Sequence, residues 1–251
     1  MAWWLMGKRV ATFADGTWAE YIVVDASKCF TLNSGTSWVN AAGAVANPVT
    51  VMIMLDICKN EKVVVATAGS SSLTRQFIRA ANSKGVKTIA VVRKDDQIEG
   101  CLKNGAFAAF NSETEDFQEK LSALCKEHKV RLAFDSVAGD CGSKVLASLV
   151  SGGEMHVYGF LSGKPLNIPG GELIFKQKEV KGLYLGQIFK HAGILKLLKV
   201  KSDLVNMLDN ELHTDVQATF PMENVVDALL AYTSNLSGGK VQLIIGDLEK
   251  Q

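Results

Sequence analysis

The sequence has little charge imbalance and no long uninterrupted apolar run. Its 251 residues include 27 Lys and Arg against 26 Asp and Glu, a formal net charge of +1, so no overall field attracts nucleic acid or an anionic surface. The longest apolar stretch, residues 41–55, is interrupted by Asn47 and Pro48 and is too short to span a bilayer. We therefore expect neither a nucleic-acid partner nor a membrane span.

The cysteines and histidines show no clustering. The five cysteines lie far apart and contain no CxxC pair. The four histidines lie in unrelated segments without a recognisable Ser or Cys partner, and no Gly-x-Ser-x-Gly elbow occurs. We expect no metal site, no nucleophilic triad, and a reducing compartment, either the cytoplasm or the mitochondrial matrix.

From residue 61 onward, short β-branched runs alternate with helical patterns. This alternation is typical of βαβ units and a parallel sheet. The sequence therefore predicts an α/β fold with a six-stranded, doubly wound parallel sheet of Rossmann type. The expected strands are residues 62–67, 87–92, 107–110, 130–134, 154–158 and 180–185, and the expected helices are residues 73–84, 97–104, 116–126 and 143–149.

The two flanks of this region differ from it. Residues 10–13 and 18–24 are strand-like. We divide the chain into residues 1–45, a Rossmann domain at 46–185 and a C-terminal segment at 186–251. In that last segment, residues 195–208 and 222–233 have helical patterns, and residues 215–220 and 240–245 have extended ones.

A serine-rich loop joins the first Rossmann strand to the first helix. Backbone N–H groups, hydroxyls and a helix N-terminus together make an anion site that suits a pyrophosphate. The dinucleotide fingerprint has three glycines, whereas this loop has one, so an N-capping serine cluster remains the alternative. The residues concerned are Gly69, Ser70, Ser71, Ser72, Leu73 and Thr74.

The second strand ends in a basic pair, Arg93 and Lys94, where NAD-binding proteins carry a carboxylate for the ribose hydroxyls. A guanidinium binds a ribose 2′-phosphate bidentately, so NADPH is favoured over NADH. Two alternatives stay open. Asp95 and Asp96 follow at once and could serve NADH, and Arg93 could be a solvated strand end.

Two further strand ends face the same crevice in a fold of this type. Gly159 and Phe160 follow the fifth strand and offer free backbone groups and an apolar wall for a nicotinamide ring. Asp135 closes the fourth strand, where we expect it to order a turn rather than to act as an acid or base.

These segments resemble, in order, those of the medium-chain dehydrogenase/reductase superfamily, in its zinc-independent quinone oxidoreductase and 2-enoyl thioester reductase branch. The resemblance covers nearly the whole chain. It rests on Gly-Thr-Trp-Ala-Glu-Tyr at residues 16–21, Asn-Pro-Val-Thr at 47–50, the serine loop, and residues 91–93, 134–139, 157–159 and 239–241.

The resemblance implies hydride transfer from NADPH to an enoyl thioester or a quinone. It also implies that Ser70 to Thr74 hold the pyrophosphate and that Arg93 holds the 2′-phosphate. Thr50, with Gly159 and Phe160, would contact the nicotinamide end, and Lys240 would begin a strand beside the cofactor. Homodimers would form by joining the edges of the sixth strands at residues 180–185.

The sequence departs from the family pattern in two respects. Ser71, Ser72 and Thr74 stand where many relatives have glycine or small residues. Residues 1–45 correspond to only the last part of a GroES-like substrate domain, so no catalytic residue can be assigned. The alternative to an enzyme is therefore a catalytically inactive relative that acts as a scaffold or accessory subunit of a larger complex.

Overall fold

The computed structural model describes residues 2–186 and 202–246. Two compact units share the chain. The sheet unit comprises Ile53–Ser70 and Phe77–Ala192, and the flank unit comprises Met1–Met52, Ser71–Gln76 and Gly193–Gln251. The expected domain division at residues 45/46 and 185/186 stays a prediction.

The described elements follow one another along the chain as the sequence patterns predict in most places. The strands are β1 Val10–Thr12, β2 Cys29–Thr31, β3 Val63–Ala66, β4 Lys87–Val92, β5 Ala108–Asn111, β6 Leu132–Asp135, β7 Glu154–Val157, β8 Glu179–Gly182, β9 Val216–Pro221 and β10 Lys240–Ile244. The helices are α1 Trp38–Ala42, α2 Ala46–Cys58, α3 Ser72–Ser83, α4 Ile98–Lys103, α5 Phe117–Glu127, α6 Gly139–Ser148, α7 Gly170–Ile174 and α8 Val225–Ser234.

The sheet unit contains one parallel sheet of six strands in the order β5-β4-β3-β6-β7-β8. Every residue of β3 and β6 is buried, as expected for central strands with helices on both faces. Residues from α5 and α6 pack on one face of the sheet, including Phe117, Leu121 and Leu146. Ile78 of α3 and Cys101 of α4 pack on the other. The predicted Rossmann-type sheet is confirmed.

The strand order reverses between β3 and β6. The chain winds outward from β3 through β4 to β5, then returns to place β6 on the other side of β3. In open parallel sheets, ligands bind beyond the carboxyl ends of the strands at this switch point. The loops after β3, β4, β6 and β7 therefore define the candidate site in the sheet unit.

The flank unit contains two small sheets among its described residues. β1 pairs antiparallel with β2, and β9 pairs parallel with β10. Residues 18–24 form no strand, so that expectation was wrong. Trp18, Tyr21 and Val23 are exposed, and no strand among the described residues pairs with this segment.

At the C-terminal side, residues 202–207 are helical, which agrees with the end of the helix predicted at residues 195–208. The earlier part of that prediction, residues 195–201, lies outside the described residues. Across the two described segments, no helix is both long and apolar enough to cross a membrane.

Candidate functional site

The loop after β3 lies against β4. Gly69 donates its N–H to the Val91 carbonyl at 2.9 Å. A Cβ atom added at Gly69 would come within 3.0 Å of Ala90 Cβ and Cys101 Sγ, and within 3.1 Å of Val92 Cγ1. These distances are shorter than most carbon contacts, so a side chain at this position would displace the loop or its neighbours. The single glycine thus permits the close packing.

Ser71 is the N-cap of α3. Its Oγ accepts a hydrogen bond from the Thr74 N–H at 3.2 Å and donates one to Thr74 Oγ1 at 3.0 Å. The capping interpretation of the serine cluster is therefore confirmed for Ser71. This capping leaves other hydrogen-bond donors at the start of α3 without a protein partner in the described part of the chain. Within the described residues, the buried Ser72 hydroxyl has no hydrogen-bond partner, and the N–H groups of Ser72 and Leu73 find no protein acceptor.

The first turn of α3 is anchored within the flank unit. Arg75 donates a hydrogen bond to the Ser237 carbonyl and lies 3.6 Å from the Asp215 carboxylate. Gln76, almost fully buried, donates to the Leu212 carbonyl at 2.8 Å. These two anchoring residues were not predicted. The sequence signal for them was two adjacent polar residues in a helix whose other pattern predicts packing against the core.

Arg93 follows β4 and is exposed. Its backbone N–H donates to Gln97 Oε1 at 3.2 Å, while its guanidinium makes no ion pair or hydrogen bond in the described part of the chain. Asp95, the first acidic residue after it, accepts a hydrogen bond from Asn111 Nδ2 at 3.0 Å. The guanidinium is thus available for an anion, and one of the two carboxylates that could serve NADH is engaged.

Asp135 ends β6 and is fully buried. Its Oδ1 accepts hydrogen bonds from the Thr67 hydroxyl at 2.7 Å and the Val137 N–H at 3.0 Å, and its Oδ2 accepts one from the Ala138 N–H at 3.0 Å. The expected role in ordering a turn is confirmed. Thr67 was not predicted, although a polar residue at the end of an apolar strand run was a usable signal.

The loop after β7 lies against the loop after β6. A Cβ atom added at Gly159 would lie 2.8 Å from the Ser136 carbonyl oxygen, and the Leu161 N–H donates to that oxygen at 3.0 Å. Phe160 is largely exposed, and the Ser136 hydroxyl is buried without a hydrogen-bond partner among the residues described. Ser136 was also missed by the sequence analysis.

Thr50 and Lys240 belong to the flank unit. The Thr50 hydroxyl donates to the Ala46 carbonyl at 2.8 Å within α2, which leaves its oxygen lone pairs as acceptors. Lys240 and Ser72 both line a cavity of about 700 Å³ in this unit. Its walls are mainly apolar and include Phe13, Trp18, Trp38 and Val241.

The predicted site residues therefore fall into two groups. The sheet unit carries Gly69, Ser70, Arg93, Gly159 and Phe160, all in the loops that follow the parallel strands β3, β4 and β7. The flank unit carries Thr50, Ser71, Ser72, Leu73, Thr74 and Lys240, of which the structure brings Ser72 and Lys240 to one cavity.

Burial controls the protonation of most of the cysteine thiols in this chain. All five cysteines are free, and burial raises the pKa of Cys58, Cys125 and Cys141 to about 12, so these three stay protonated at neutral pH. No group of three or more His, Cys, Asp and Glu side chains in residues 2–186 and 202–246 could hold a metal ion.

Comparisons with known proteins agree with this fold. Residues 75–199 match the family model described as zinc-binding dehydrogenase. The mitochondrial enoyl-[acyl-carrier-protein] reductase of Yarrowia lipolytica is 30% identical over 178 residues, which cover 68% of this chain and 47% of that protein. Quinone oxidoreductase-like protein 2 of Bos taurus is 28% identical over 181 residues, covering 72% of this chain and 52% of that protein.

Among solved structures, a candidate NADPH:quinone reductase of Mesorhizobium loti superposes with a TM-score of 0.84 at 27% identity, over 96% of this chain and 71% of that one. This chain spans about half the length of the curated relatives it matches. The family model, these relatives and the parallel six-stranded sheet agree with one another, and the chain belongs to the zinc-independent medium-chain dehydrogenase/reductase superfamily.

Proposed function

We propose that this chain binds NADPH and takes part in hydride transfer to an activated C=C bond, as in an enoyl thioester, or to a quinone. The observation that carries the proposal is the start of α3, where the Ser72 hydroxyl and the N–H groups of Ser72 and Leu73 have no protein partner in the described chain. A helix N-terminus with free donors favours an anion such as a pyrophosphate.

The residues present fit a dinucleotide. Gly69 and Gly159 let the loops after β3 and β7 pack closely at the carboxyl ends of the strands, where a Cβ atom would come within 3.0 Å of neighbouring protein atoms. Ser72 and Ser136 carry buried hydroxyls without partners among the described residues. In this proposal Ser70 to Thr74 hold the pyrophosphate and Arg93 the 2′-phosphate. Thr50, Gly159, Phe160 and Lys240 contact the nicotinamide end. Bound NADPH supplies the hydride.

The cavity in the flank unit supports a small-molecule substrate. Its volume of about 700 Å³ falls within the usual range for ligand sites, roughly 300 to 1,000 Å³. An apolar wall suits an acyl chain or a quinone ring. Among the polar residues that line the cavity, Lys240 carries an ammonium group that could stabilise negative charge as it develops on the substrate. The relatives named above are enoyl reductases and quinone oxidoreductase-like proteins.

Titration calorimetry with NADPH and NADH tests the cofactor assignment. We expect NADPH to bind more tightly than NADH, and Arg93→Ala to weaken NADPH binding selectively by about tenfold or more, since a charge-assisted contact to the 2′-phosphate is lost. Lys94→Ala removes the adjacent exposed cation and serves as the matched control. If the wild-type chain binds neither nucleotide, the proposal is wrong.

Turnover is a separate test. NADPH oxidation should be measured with a crotonyl thioester and with a quinone. We expect turnover with at least one of them, and background rates with both would overturn the enzymatic part of the proposal. The free cysteines and the mitochondrial relative support a reducing compartment, the mitochondrial matrix or the cytoplasm.

A second candidate function is that of a non-catalytic subunit in a larger assembly. It is favoured by the aromatic side chains exposed in the flank unit, since Trp18 is 63% and Tyr21 is 90% exposed. Large exposed aromatics often mark surfaces that a partner covers. Native mass spectrometry of the complex purified from its source distinguishes the two functions. Stoichiometric foreign subunits without turnover would favour the subunit, and a homodimer with turnover would favour the enzyme.

A further inference from the structure

The turn after β6 contains a strained residue. Ala138 has φ 59° and ψ −152°, a region that residues with a Cβ atom rarely occupy and that favours glycine. It is 3% exposed, so its conformation is fixed by packing and hydrogen bonds. A strained conformation persists only where its surroundings determine it.

The contacts that hold this turn come from two central strands. Asp135 accepts the N–H groups of Val137 and Ala138, each at 3.0 Å, with different carboxylate oxygens. The Thr67 hydroxyl at the end of β3 donates to Asp135 at 2.7 Å and accepts the Ser136 N–H at 2.9 Å. All three N–H groups of the turn are therefore held by one buried pair of side chains.

Gly142 provides the space for this pair of side chains. A Cβ atom added at Gly142 would lie 2.5 Å from Asp135 Oδ2, so glycine in the first turn of α6 makes room for the carboxylate. The residues of the pair are both fully buried. Thr67 directly follows β3 and Asp135 ends β6, and the sheet order reverses between these two strands.

We propose that Thr67 and Asp135 are positioning residues for the nucleotide, which hold the strained turn of Ser136 to Ala138 at the switch point. This inference rests on the proposed function, and neither residue is assigned a role in the chemistry. The turn carries the buried, unpartnered Ser136 hydroxyl. Its carbonyls at Ser136 and Val137 accept the N–H groups of Leu161 and Ser162, each at 3.0 Å, so a displaced turn also moves the loop after β7.

Thr67→Val and Asp135→Asn test the pair with little change in side-chain volume. Valine removes the hydroxyl, and asparagine replaces one of the two accepting carboxylate oxygens with an NH2 donor, so at least one of the three hydrogen bonds to Asp135 is lost. We expect each variant to weaken NADPH binding by about tenfold and to raise KM for NADPH more than it lowers kcat. Thr67→Ser, which keeps the hydroxyl, should restore wild-type affinity.

Thr88→Val is the matched control. Thr88 is buried in β4 of the same sheet, and its hydroxyl has no partner in the described chain. This variant should bind NADPH like the wild type. If Thr67→Val and Asp135→Asn also bind NADPH with wild-type affinity, or if Thr88→Val loses as much affinity as they do, the positioning role is wrong.

Ala138→Gly separates positioning from general stability. Glycine adopts the observed φ without strain, so the turn then needs its side-chain support less. In the Asp135→Asn background, Ala138→Gly should recover most of the lost NADPH affinity. If it recovers only the thermal midpoint and not the affinity, the pair is structural and the inference fails.

A readout without nucleotide keeps the inference separate from the proposed function. Amide hydrogen exchange at Val137 and Ala138 should accelerate by about tenfold or more in Asp135→Asn, but not in Thr88→Val. If the wild-type chain binds no NADPH, the proposed function and the positioning role both fail, and accelerated exchange then shows only that Asp135 orders the turn. If NADPH binds but exchange at these amides is unchanged, only the positioning role fails.

Discussion

The ammonium group of Lys181 on β8 donates a hydrogen bond of 2.8 Å to the carboxylate of Glu154 on the neighbouring strand β7. His156, which lies directly opposite Lys181 in the strand register, also contacts Glu154 through its Nε2 atom. Burial by itself would raise the pKa of Glu154, but the hydrogen bond and charge of Lys181 and the contact with His156 outweigh it. The pKa of Glu154 is lowered as a result.

We expect acid to lower the stability of the fold by protonating Glu154 and weakening its contact with Lys181. Because the folded-state pKa of Glu154 lies below its ordinary value of 4.5, the carboxylate contributes stability that is fully present above that pH. This stability is lost as the pH falls through the lowered pKa. Between about pH 5 and about pH 3, the urea midpoint of the wild-type protein should therefore fall more than that of Glu154→Gln.

Glu115→Gln is the control for this measurement, since Glu115 is exposed and has no ion pair in the described chain. It should show the same loss of urea midpoint as the wild type. Equal losses in all three proteins would mean that Glu154 does not contribute to the acid sensitivity.

Gly69 and Gly100 should respond in opposite ways to alanine. At Gly69 the new methyl group would lie 3.0 Å from Ala90 Cβ and Cys101 Sγ, so we expect Gly69→Ala to lower the free energy of unfolding by about 1 to 3 kcal/mol and to weaken NADPH binding. At Gly100, inside α4, nothing lies within 4 Å of the new atom. Gly100→Ala should therefore stabilise the protein by about 0.5 to 1 kcal/mol.

Urea denaturation of the two alanine variants, followed by NADPH titration of each, checks this pair of expectations. Equal stability changes at the two glycines would show that the loop after β3 is not tightly packed against β4.

The centre of the sheet could be predicted from sequence because its central strands are buried on both faces. The run at Lys87–Val92 was predicted with the observed bounds, since a continuous apolar run between turn residues leaves little ambiguity. The start of α6 was harder. It begins at Gly139, earlier than the predicted residue 143. Gly139 and Gly142 are poor helix formers, so the sequence did not predict this first turn, which the contacts of Asp135 help to fix.

The candidate site was only partly predictable for a physical reason. Loop positions such as Gly69 and Arg93 follow directly from strand ends, which the hydrophobic pattern locates. Thr67 and Ser136 acquire their contacts from strands distant in sequence, and no local pattern reports such a pairing. The burial of Lys178, outside the site, could not be predicted for the same reason, since it donates to carbonyls at a helix end more than 30 residues away.

Lys178 should be more important for stability than its neighbour Lys176. The Lys178 ammonium is fully buried. It donates to the Leu146 and Ala147 carbonyls at the end of α6, at 2.8 and 2.9 Å, and lies 2.7 Å from the Glu172 carboxylate. Lys178→Met removes all three contacts, so we expect a loss of about 3 kcal/mol in the free energy of unfolding.

Lys176→Met is the matched control because Lys176 pairs with the same carboxylate, at 2.8 Å, from a half-exposed position. It should change the free energy of unfolding by less than about 1 kcal/mol. Chemical denaturation compares the two variants. A loss at Lys178 as small as that at Lys176 would contradict the assigned role.

The free edge of β8 should mediate a homodimer. In the described residues β8 pairs only with β7. Glu179 and Leu183 direct their N–H groups towards β7, and since these directions alternate along a strand, the N–H groups of Val180 and Gly182 point outward. A second copy could pair with that edge. Gly182→Pro removes one outward donor, and a Cβ atom at this position meets nothing within 4 Å.

We therefore expect sedimentation analysis to give a dimer for the wild type and for Gly182→Ala, and a monomer for Gly182→Pro. Because proline is tolerated on edge strands, the monomeric variant should remain folded, with a cooperative thermal transition, and should still bind NADPH. A dimer that persists in Gly182→Pro would mean that another surface joins the two copies. A wild-type monomer would mean that the β8 edge stays unpaired in solution.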